Sequence, residues 1–351
     1  MFDYAGAFHV HTSYSYDGTT GLAEIIRAAR RRGLDFIVVT DHFRMDARRD
    51  GWEGWHDDVL VIVGEEISPR HNHYLALNIE TPVIHWRKKA RAQDYIDEVN
   101  RQGGIGLIAH PDHTGAPGYG VKEYDWTDWS VTGYAGISIW DLMTDWQEKL
   151  GSLGSAVMAY LFPALSLSGP KEATLSRWDA LCRTRKVAGY GEIDNHNSRK
   201  KVFGMTFRIF PFDVAFNTIR THVLLEDKLS RDGHRARQQI FDALTASRLY
   251  VAQEHWNRAR GFAFEVREPQ GAAVAAGGEY RRQPGSSIEV RLPRGASGRI
   301  RLMRDGAVSA EAVAGQLTLA LEAPGVYRAE VEQKIFGRYR PWIYSNPVWI
   351  T

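Results

Sequence analysis

Short apolar runs recur along most of the chain, and many of them end in histidine or carboxylate residues. Ala7 to His11 predicts a first strand. Leu22 to Arg32 predicts a helix with Leu22, Ile25, Ile26 and Ala29 on one face, stopped by Gly33. The Arg30-Arg31-Arg32 run in its last turn reads as a solvated helix end, where cations suit the helix dipole. Phe36 to Thr40 and Val59 to Val63 are continuous apolar runs, as expected of parallel strands buried on both faces. Tyr74 to Ile79, Ile105 to Ala109, Gly136 to Trp140 and Val187 to Glu192 predict further strands. Tyr95 to Gln102 and Thr174 to Arg185 predict helices between them. His222 to Glu226 and Leu249 to Ala252 read as strands flanking a helix at Arg235 to Ala246. Such alternation predicts an α/β barrel or a doubly wound sheet. From about Arg260 the texture changes to short strands separated by Gly, Pro or Asp turns, the pattern of a small antiparallel β-sandwich. The expected domains are therefore 1–258, an α/β barrel, and 259–351, the β-sandwich.

Ligand sites in α/β barrels and open sheets collect at the carboxyl ends of the strands. The polar clusters of this chain fall at those ends. His9 and His11 close the first strand, and strict alternation would turn both to one face. Asp41-His42, Gly64-Glu65-Glu66, His71-Asn72-His73, His110-Pro111-Asp112-His113 and Asp194-Asn195-His196 follow the later runs or lead into them. Taken together, His9, His11, Asp17, His42, Glu65, His73, His110, Asp194 and His196 make a candidate ligand set. These imidazoles and carboxylates need counter-charge to sit together, and two or three divalent ions supply it. Nitrogen and oxygen donors without thiolate suit Zn, Mn or Fe.

Composition narrows the alternatives. The chain has 351 residues, 44% of them hydrophobic, enough for a large core. Lys+Arg number 44 against 42 Asp+Glu, a formal net charge of +2, which argues against a dedicated nucleic-acid binder. The single cysteine, Cys182, excludes an intrachain disulfide and a multi-cysteine zinc site, and it fits a reducing compartment. No basic head and apolar core open the sequence, so a cytoplasmic protein without a membrane partner is expected. The longest apolar run, Ala156 to Leu167, is too short to span a bilayer and contains Pro163. It reads as a buried or lid segment.

The ordered set His9-x-His11, Asp17, Thr40-Asp41-His42, Gly64-Glu65, His73, Ala109-His110-Pro111 and Asp194-x-His196 resembles the PHP (polymerase and histidinol phosphatase) domain family, over roughly residues 7 to 200. The resemblance implies a distorted (β/α)7 TIM-like barrel, a trinuclear metal centre and phosphoester hydrolysis. It implies one ion held by His9, His11, Glu65 and Asp194. A second would be held by Glu65, His73 and His110, with Glu65 bridging, and a third by Asp17, His42 and His196. Asp17 stands where some relatives have histidine, which bears on metal preference. Metal ions in such a pit acidify a bound water towards neutral pH and neutralise phosphate oxygens, with Glu65, Asp194 and His196 as the catalytic residues. Asp41 is a candidate for orienting the imidazoles.

The other candidates carry less. His71 is the alternative to His73; the strand starts directly after His73, which favours the latter. Arg70, His113, Lys171 and Arg199 are candidate substrate contacts. Lys171 follows Gly169-Pro170 at an expected helix start, where an anion is welcome. His56, His85, His222, His234 and His255 read as structural or exposed. Trp126, Trp129, Trp140 and Trp146 read as core packing, with the wall of an apolar substrate pocket as the alternative.

The expected activity is cleavage of a small phosphomonoester or phosphodiester, a phosphorylated small molecule being the partner. The same metals would also serve a carbamate or carboxyl ester hydrolase, a kind of enzyme that some PHP-like proteins with a C-terminal β domain resemble. A metal-binding interaction module is a third reading. The amidohydrolase superfamily also opens with His-x-His, but it calls for a bridging lysine at a strand end, and none is found.

Overall fold

The structure, a computed structural model, describes residues 1–83, 91–202 and 204–351. His85 lies outside the described residues. The strands that build the site are β1 (Phe2–Val10), β2 (Phe36–His42), β3 (Gly54–His56), β4 (Val59–Ile67), β5 (Tyr74–Leu77), β6 (Ile105–Ile108), β7 (Gly136–Asp141) and β8 (Ala188–Asn195). Hydrogen bonding runs β1-β2-β4-β5-β6-β7-β8 and returns from β8 to β1, so seven strands close into a barrel. The β-hairpin strand β3 pairs only with β4.

Within the barrel the neighbours are parallel except at β5, which runs antiparallel to both β4 and β6. The chain passes from β4 to β5 through the His71-Asn72-His73 turn with no crossover helix, and this is the distortion of the barrel. Helices α1 (Leu22–Arg32), α2 (Asp46–Arg49), α3 (Ala92–Arg101), α4 (Leu142–Gln147), α5 (Leu153–Leu161), α6 (Pro163–Ser166) and α7 (Glu172–Cys182) fill most of the other connections. Gly33 ends α1 in the left-handed conformation, φ 67°, as its lack of a Cβ permits.

Strand alternation divides the barrel residues between two cores. Phe8, Val38, Ile62, Leu107 and Tyr190 form one with Ile240, Phe241 and Leu244 of α9 (Gly233–Thr245). Val39, Val61 and Ile137 join the other, with Ile25 of α1 and Ile96 of α3. The strands are thus coated on both faces, which is why their sequences read as continuous apolar runs.

After β8 come the hairpin β9 (Arg199–Val202) and β10 (Met205–Arg208), the short α8 (Phe212–Ala215), and then β11 (Ile219–Leu225) and β12 (Leu249–Gln253) either side of α9. Antiparallel pairing continues from β1 to β11, to β12 and on to the strand Arg338–Ser345. One hydrogen-bonded sheet therefore runs from the barrel into the C-terminal part. Facing that extension is a four-stranded antiparallel sheet containing Ala263–Arg267, Ser287–Arg291 and Gln316–Ala320. Phe264, Val266, Ile288 and Val290 from this sheet meet Ile300, Leu302, Val331 and Ile343 from the other in one apolar core, the arrangement of a β-sandwich.

The Ala156–Leu167 run folds as the end of α5 with α6 and is only partly buried, at Ala159, Ala164 and Leu167. Met158 is 56% exposed and Leu161 59%. Trp126, Trp140 and Trp146 pack in the barrel's outer core with Trp129 against them. No described helix is long and apolar enough to cross a membrane.

Two buried polar contacts hold the fold together, the first of them between the two parts. Arg328 is buried, and its guanidinium donates to both oxygens of Asp179 on α7, Nε to Oδ1 at 2.6 Å and Nη2 to Oδ2 at 2.8 Å. Removing one partner leaves a buried charge short of its counter-ion. Asp179→Ala is expected to lose about 3 kcal/mol or more, read as a fall in the urea unfolding midpoint; an unchanged midpoint would show that the pair does not fasten α7.

The second contact centres on His222, buried in β11. Its Nδ1 lies 2.7 Å from Asp3 Oδ1 and its Nε2 lies 3.1 Å from Glu254 Oε1. Burial alone would depress the His222 pKa, but Asp3 and Glu254 hold it above the ordinary imidazole value. A group raised on folding stabilises the protein below its unfolded pKa, about 6.5, and that contribution is lost as pH rises through the folded value. The stability gap between wild type and His222→Gln should be widest below about pH 6.5 and shrink in alkali. A gap in urea unfolding that widens with rising pH would contradict this assignment.

Candidate metal centre

The carboxyl ends of β1, β2, β4 and β8, with the segments around β5 and after β6, converge on one pit. Four donor atoms define its centre. Glu66 Oε2 lies 3.3 Å from His9 Nε2 and 3.4 Å from His11 Nε2; Asp194 Oδ1 lies 3.4 Å and 3.3 Å from the same two nitrogens. A tetrahedral site with ligands about 2.0–2.1 Å from the ion has edges of about 3.3–3.4 Å. The four nitrogen–oxygen separations match that edge length, so His9 and His11 share two carboxylate oxygens at the spacing of metal ligands.

Two further groups share members with this one. Glu66 also gathers His73 and His110, and His11 lies with His42 and His196; within each triad the donor atoms are within 4.8 Å of one another. Asp17 Oδ2 is 3.3 Å from His42 Nε2 and 3.4 Å from His196 Nε2, completing the third group. His9 Nε2, His11 Nε2, His110 Nδ1 and Asp17 Oδ1 are buried atoms with no hydrogen-bond partner. Buried polar atoms are rarely left unmet. His9 Nε2 and His11 Nε2 both face the same oxygens of Glu66 and Asp194, as nitrogen donors to a divalent metal ion would, so these residues fit the group.

The structure corrects one ligand. Glu65, read above as the bridging and catalytic carboxylate, does not point into the pit. Consecutive residues of a strand face opposite ways, and Glu65 Oε1 instead accepts from the backbone N–H of Val83 at 2.6 Å. Glu66 holds the shared position. The remaining members of the set, His9, His11, Asp17, His42, His73, His110, Asp194 and His196, all line the pit. His71 is turned away and bonds Asp125, Nδ1 to Oδ1 at 2.6 Å.

His9 and His11 reach one face by a different route from simple alternation. The β1 ladder slips between Ala7 and Val10, and His9 has φ 65°. This bulge re-aims the His9 ring, leaving the two imidazole centroids 4.9 Å apart.

A second ring of contacts fixes the imidazoles. Glu192 Oε2 takes His9 Nδ1 at 2.8 Å, and Glu192 Oε1 accepts from the His110 backbone N–H at 2.6 Å. Ser15 Oγ lies 2.9 Å from His11 Nδ1, and Ser68 Oγ 2.8 Å from His42 Nδ1. Such partners orient ligand rings and set their tautomers. Glu192 escaped the sequence reading; its signal was a lone carboxylate two places before Asp194. Asp41 does not hold an imidazole. It accepts from Thr12 N at 2.7 Å and Thr12 Oγ1 at 2.8 Å, and so braces the loop after β1.

Charge in the pit is tightly coupled. Burial would raise the Glu66 pKa, but His42, His9 and His73 hold it well below the usual carboxylate range. Burial would lower His42, but Glu66 and Asp17 push it up to about 10. Burial and the cationic neighbours His196 and His42 hold His11 well below the ordinary imidazole value. Protons and metal ions compete for these same atoms, so acid opposes metal binding.

The candidate substrate contacts separate. Lys171 borders the pit on a cleft shared with His110, its Nζ 2.5 Å from Glu148 Oε1. His113 is buried beside His110, ring centroids 5.5 Å apart. Arg70 is exposed and donates to the Glu123 carbonyl. Arg199 is exposed on β9, and among the described residues no hydrogen bond or ion pair joins it to the centre.

A closed α/β barrel with overlapping histidine–carboxylate groups at its strand ends is thus the class of protein that fold and site define. Residues 7–121 match the model of the PHP domain family. No protein of curated function matches the chain. The solved structures similar to it include three of interest. A two-domain Bacteroides vulgatus protein containing a predicted PHP-like metal-dependent phosphoesterase shares 14% identity, with TM-score 0.44 over 99% of this chain and 95% of its own. A candidate metal-dependent phosphoesterase from Bifidobacterium adolescentis shares 14% identity, TM-score 0.32, over 55% of this chain and 88% of its own. An amidohydrolase from Chromobacterium violaceum, with bound sulfate and no metal, shares 16% identity, TM-score 0.32, over 59% and 92%.

The assignment of Glu66 in place of Glu65 has a direct test. Glu66→Gln is expected to retain little metal after dialysis against Zn or Mn, whereas Glu65→Gln keeps the wild-type metal-to-protein ratio in its folded fraction. Elemental analysis giving the reverse order would restore Glu65 to the centre.

Proposed function

We propose that the chain is a metal-dependent hydrolase of PHP type that cleaves a small phosphomonoester or phosphodiester with two or three divalent ions, Zn, Mn or Fe. The observation that carries the reading is the ligand-like spacing of His9 and His11 from the carboxylate oxygens of Glu66 and Asp194, 3.3–3.4 Å. In this reading those four hold one ion, Glu66, His73 and His110 a second, and His42, His196 and Asp17 a third. Bound ions supply Lewis acidity and an attacking hydroxide drawn from water near neutral pH. Glu192 fixes His9 and the His110 backbone, and Ser15 and Ser68 fix His11 and His42, so the donors keep their places. His113 and Lys171 border the route a substrate takes to the centre, and Asp194 and His196 stand at its open side.

One observation favours a second reading, cleavage of an uncharged carbamate or carboxyl ester. In the cleft beside the centre the cation Lys171 is already paired with Glu148, and Asp112, Asp141 and Asp145 stand among the other lining groups. That lining suits a neutral ester as well as a phosphate.

A chromogenic panel of phosphomonoester, phosphodiester, carboxyl ester and carbamate, each with Zn, Mn and Fe, separates the two readings. Phosphate release that falls to background with a chelator and returns with metal is expected. His9→Ala and Asp194→Ala should lose bound metal and activity together. Phosphate release at background with every metal, beside clear carboxyl ester or carbamate turnover, would transfer the assignment to the second reading.

A further inference from the structure

The cleft beside the centre is partly open to solvent and shares His110 with the metal pit. Its walls come from the end of β7, the start of α4 and the turns that follow β6 and precede α7. Four side-chain oxygens there have no hydrogen-bond partner: Ser138 Oγ, Asp141 Oδ1, Thr144 Oγ1 and Asp112 Oδ2. Three of them belong to deeply buried residues, Ser138 at 1% exposure, Asp141 at 6% and Thr144 at 7%.

Neighbouring groups are fully engaged, which sets these four apart. Asp145 accepts from Trp140 Nε1 and from the backbone N–H groups of Ser168 and Gly169, each at 2.9 Å. The other oxygen of Asp141 accepts from Thr144 N at 2.6 Å. Lys171 Nζ donates to the Asp112 carbonyl at 2.6 Å. Several unmet oxygens in one cleft call for a ligand that supplies their partners.

The unmet atoms specify the chemistry of that ligand. Carboxylate oxygens only accept, whereas the serine and threonine hydroxyls both accept and donate. An ammonium group donates but cannot accept, so it leaves the hydroxyl protons unmet. An apolar group meets none of the four. A group bearing several alcohol hydroxyls donates and accepts, and meets all of them.

We propose that this cleft is the leaving-group subsite of the hydrolase and takes a polyhydroxylated alcohol, a sugar or polyol esterified at the end nearest His110. The inference rests on the hydrolase reading and names its substrate class. On hydrolysis, water oxygen bonds the phosphorus and the bond from phosphorus to the polyol oxygen breaks. The electron pair leaves with that oxygen, which takes a proton from water.

Glyceryl, propyl and aminopropyl phosphates, compared as kcat/KM on the metal-loaded enzyme, test the subsite. A glyceryl-to-propyl ratio of about tenfold or more is expected, because a site built to hydrogen-bond hydroxyls rejects an analogue that lacks them. Thr144→Val and Ser138→Ala should each pull the ratio towards one. A wild-type ratio below about threefold overturns the proposal, as does a ratio that both folded variants leave unaltered; aminopropyl phosphate as the best of the three overturns the polyol in favour of a cation. If either variant fails to fold, the wild-type ratios decide alone. If no phosphate is released with any metal, the same comparison on glyceryl and propyl acetates reads the cleft independently of the bond cleaved. Background rates on both series would overturn the hydrolase reading and the subsite with it.

Discussion

The centre depends on keeping one buried carboxylate charged. Glu66 is 1% exposed, and an isolated carboxylate in such a place would take up a proton rather than stay ionised. It remains an anion because four imidazoles press on it: His42, His9, His73 and His110. None of those rings is local to Glu66 except His73; the others arrive from β1, β2 and the segment after β6. Barrel closure is therefore what makes the charge tolerable, and the charge is what draws the rings to one point. A half-built version of the pit would be worse than none, since an uncompensated buried ion destabilises more than an apolar replacement would.

The backbone carries the strain of that convergence. His9 with φ 65°, His110 with φ 23° and Asp194 with φ 42° are three ligands in the left-handed region that non-glycine residues avoid. Each such residue costs on the order of 1–3 kcal/mol. The β1 ladder slips against both β2 and β8 at the same level, around His9. A regular strand would leave the rings facing across the barrel, and the slip turns them inward at its rim. The apolar strand bodies below the rim, buried on both faces, hold the ladders firmly enough to keep these conformations.

Much of this was legible in the chain. Continuous apolar runs and helical periodicity located the barrel strands and helices, because those patterns are local. The strand-end position of the polar clusters was legible because histidine and carboxylate interrupt otherwise apolar runs. The choice between Glu65 and Glu66 was not legible: both are buried acids on one strand, and only the register of β4 against β5 says which faces the pit. Glu192 was hidden for a related reason, since its partners His9 and His110 lie 183 and 82 residues away in sequence. The antiparallel direction of β5 leaves no mark on a short apolar run. Apolarity likewise left α5 open between a buried and a lid segment, because an apolar helix face does not announce whether anything covers it. The continuation of the barrel sheet through β11 and β12 into the C-terminal strands depends on long-range pairing, for which a composition change near Arg260 offers no cue.

That continuation gives the C-terminal sandwich a part in the site it does not line. Every residue in the candidate metal groups lies at or before His196. Yet Asn346, fully buried, clamps β8 by accepting from the Gly189 N–H at 2.8 Å and donating to its carbonyl at 2.7 Å. Three and five residues further along β8 stand Glu192 and Asp194. Trp349 Nε1 donates to the Cys182 carbonyl at 2.7 Å, and Arg328 grips Asp179, so the far end of α7 is fastened too. The near end of α7 begins beside Lys171 and the cleft. Both walls that the sandwich braces are walls of the site, and a strained Asp194 is the kind of residue that needs bracing. The sandwich therefore braces β8 and α7, at a distance from any candidate ligand atom.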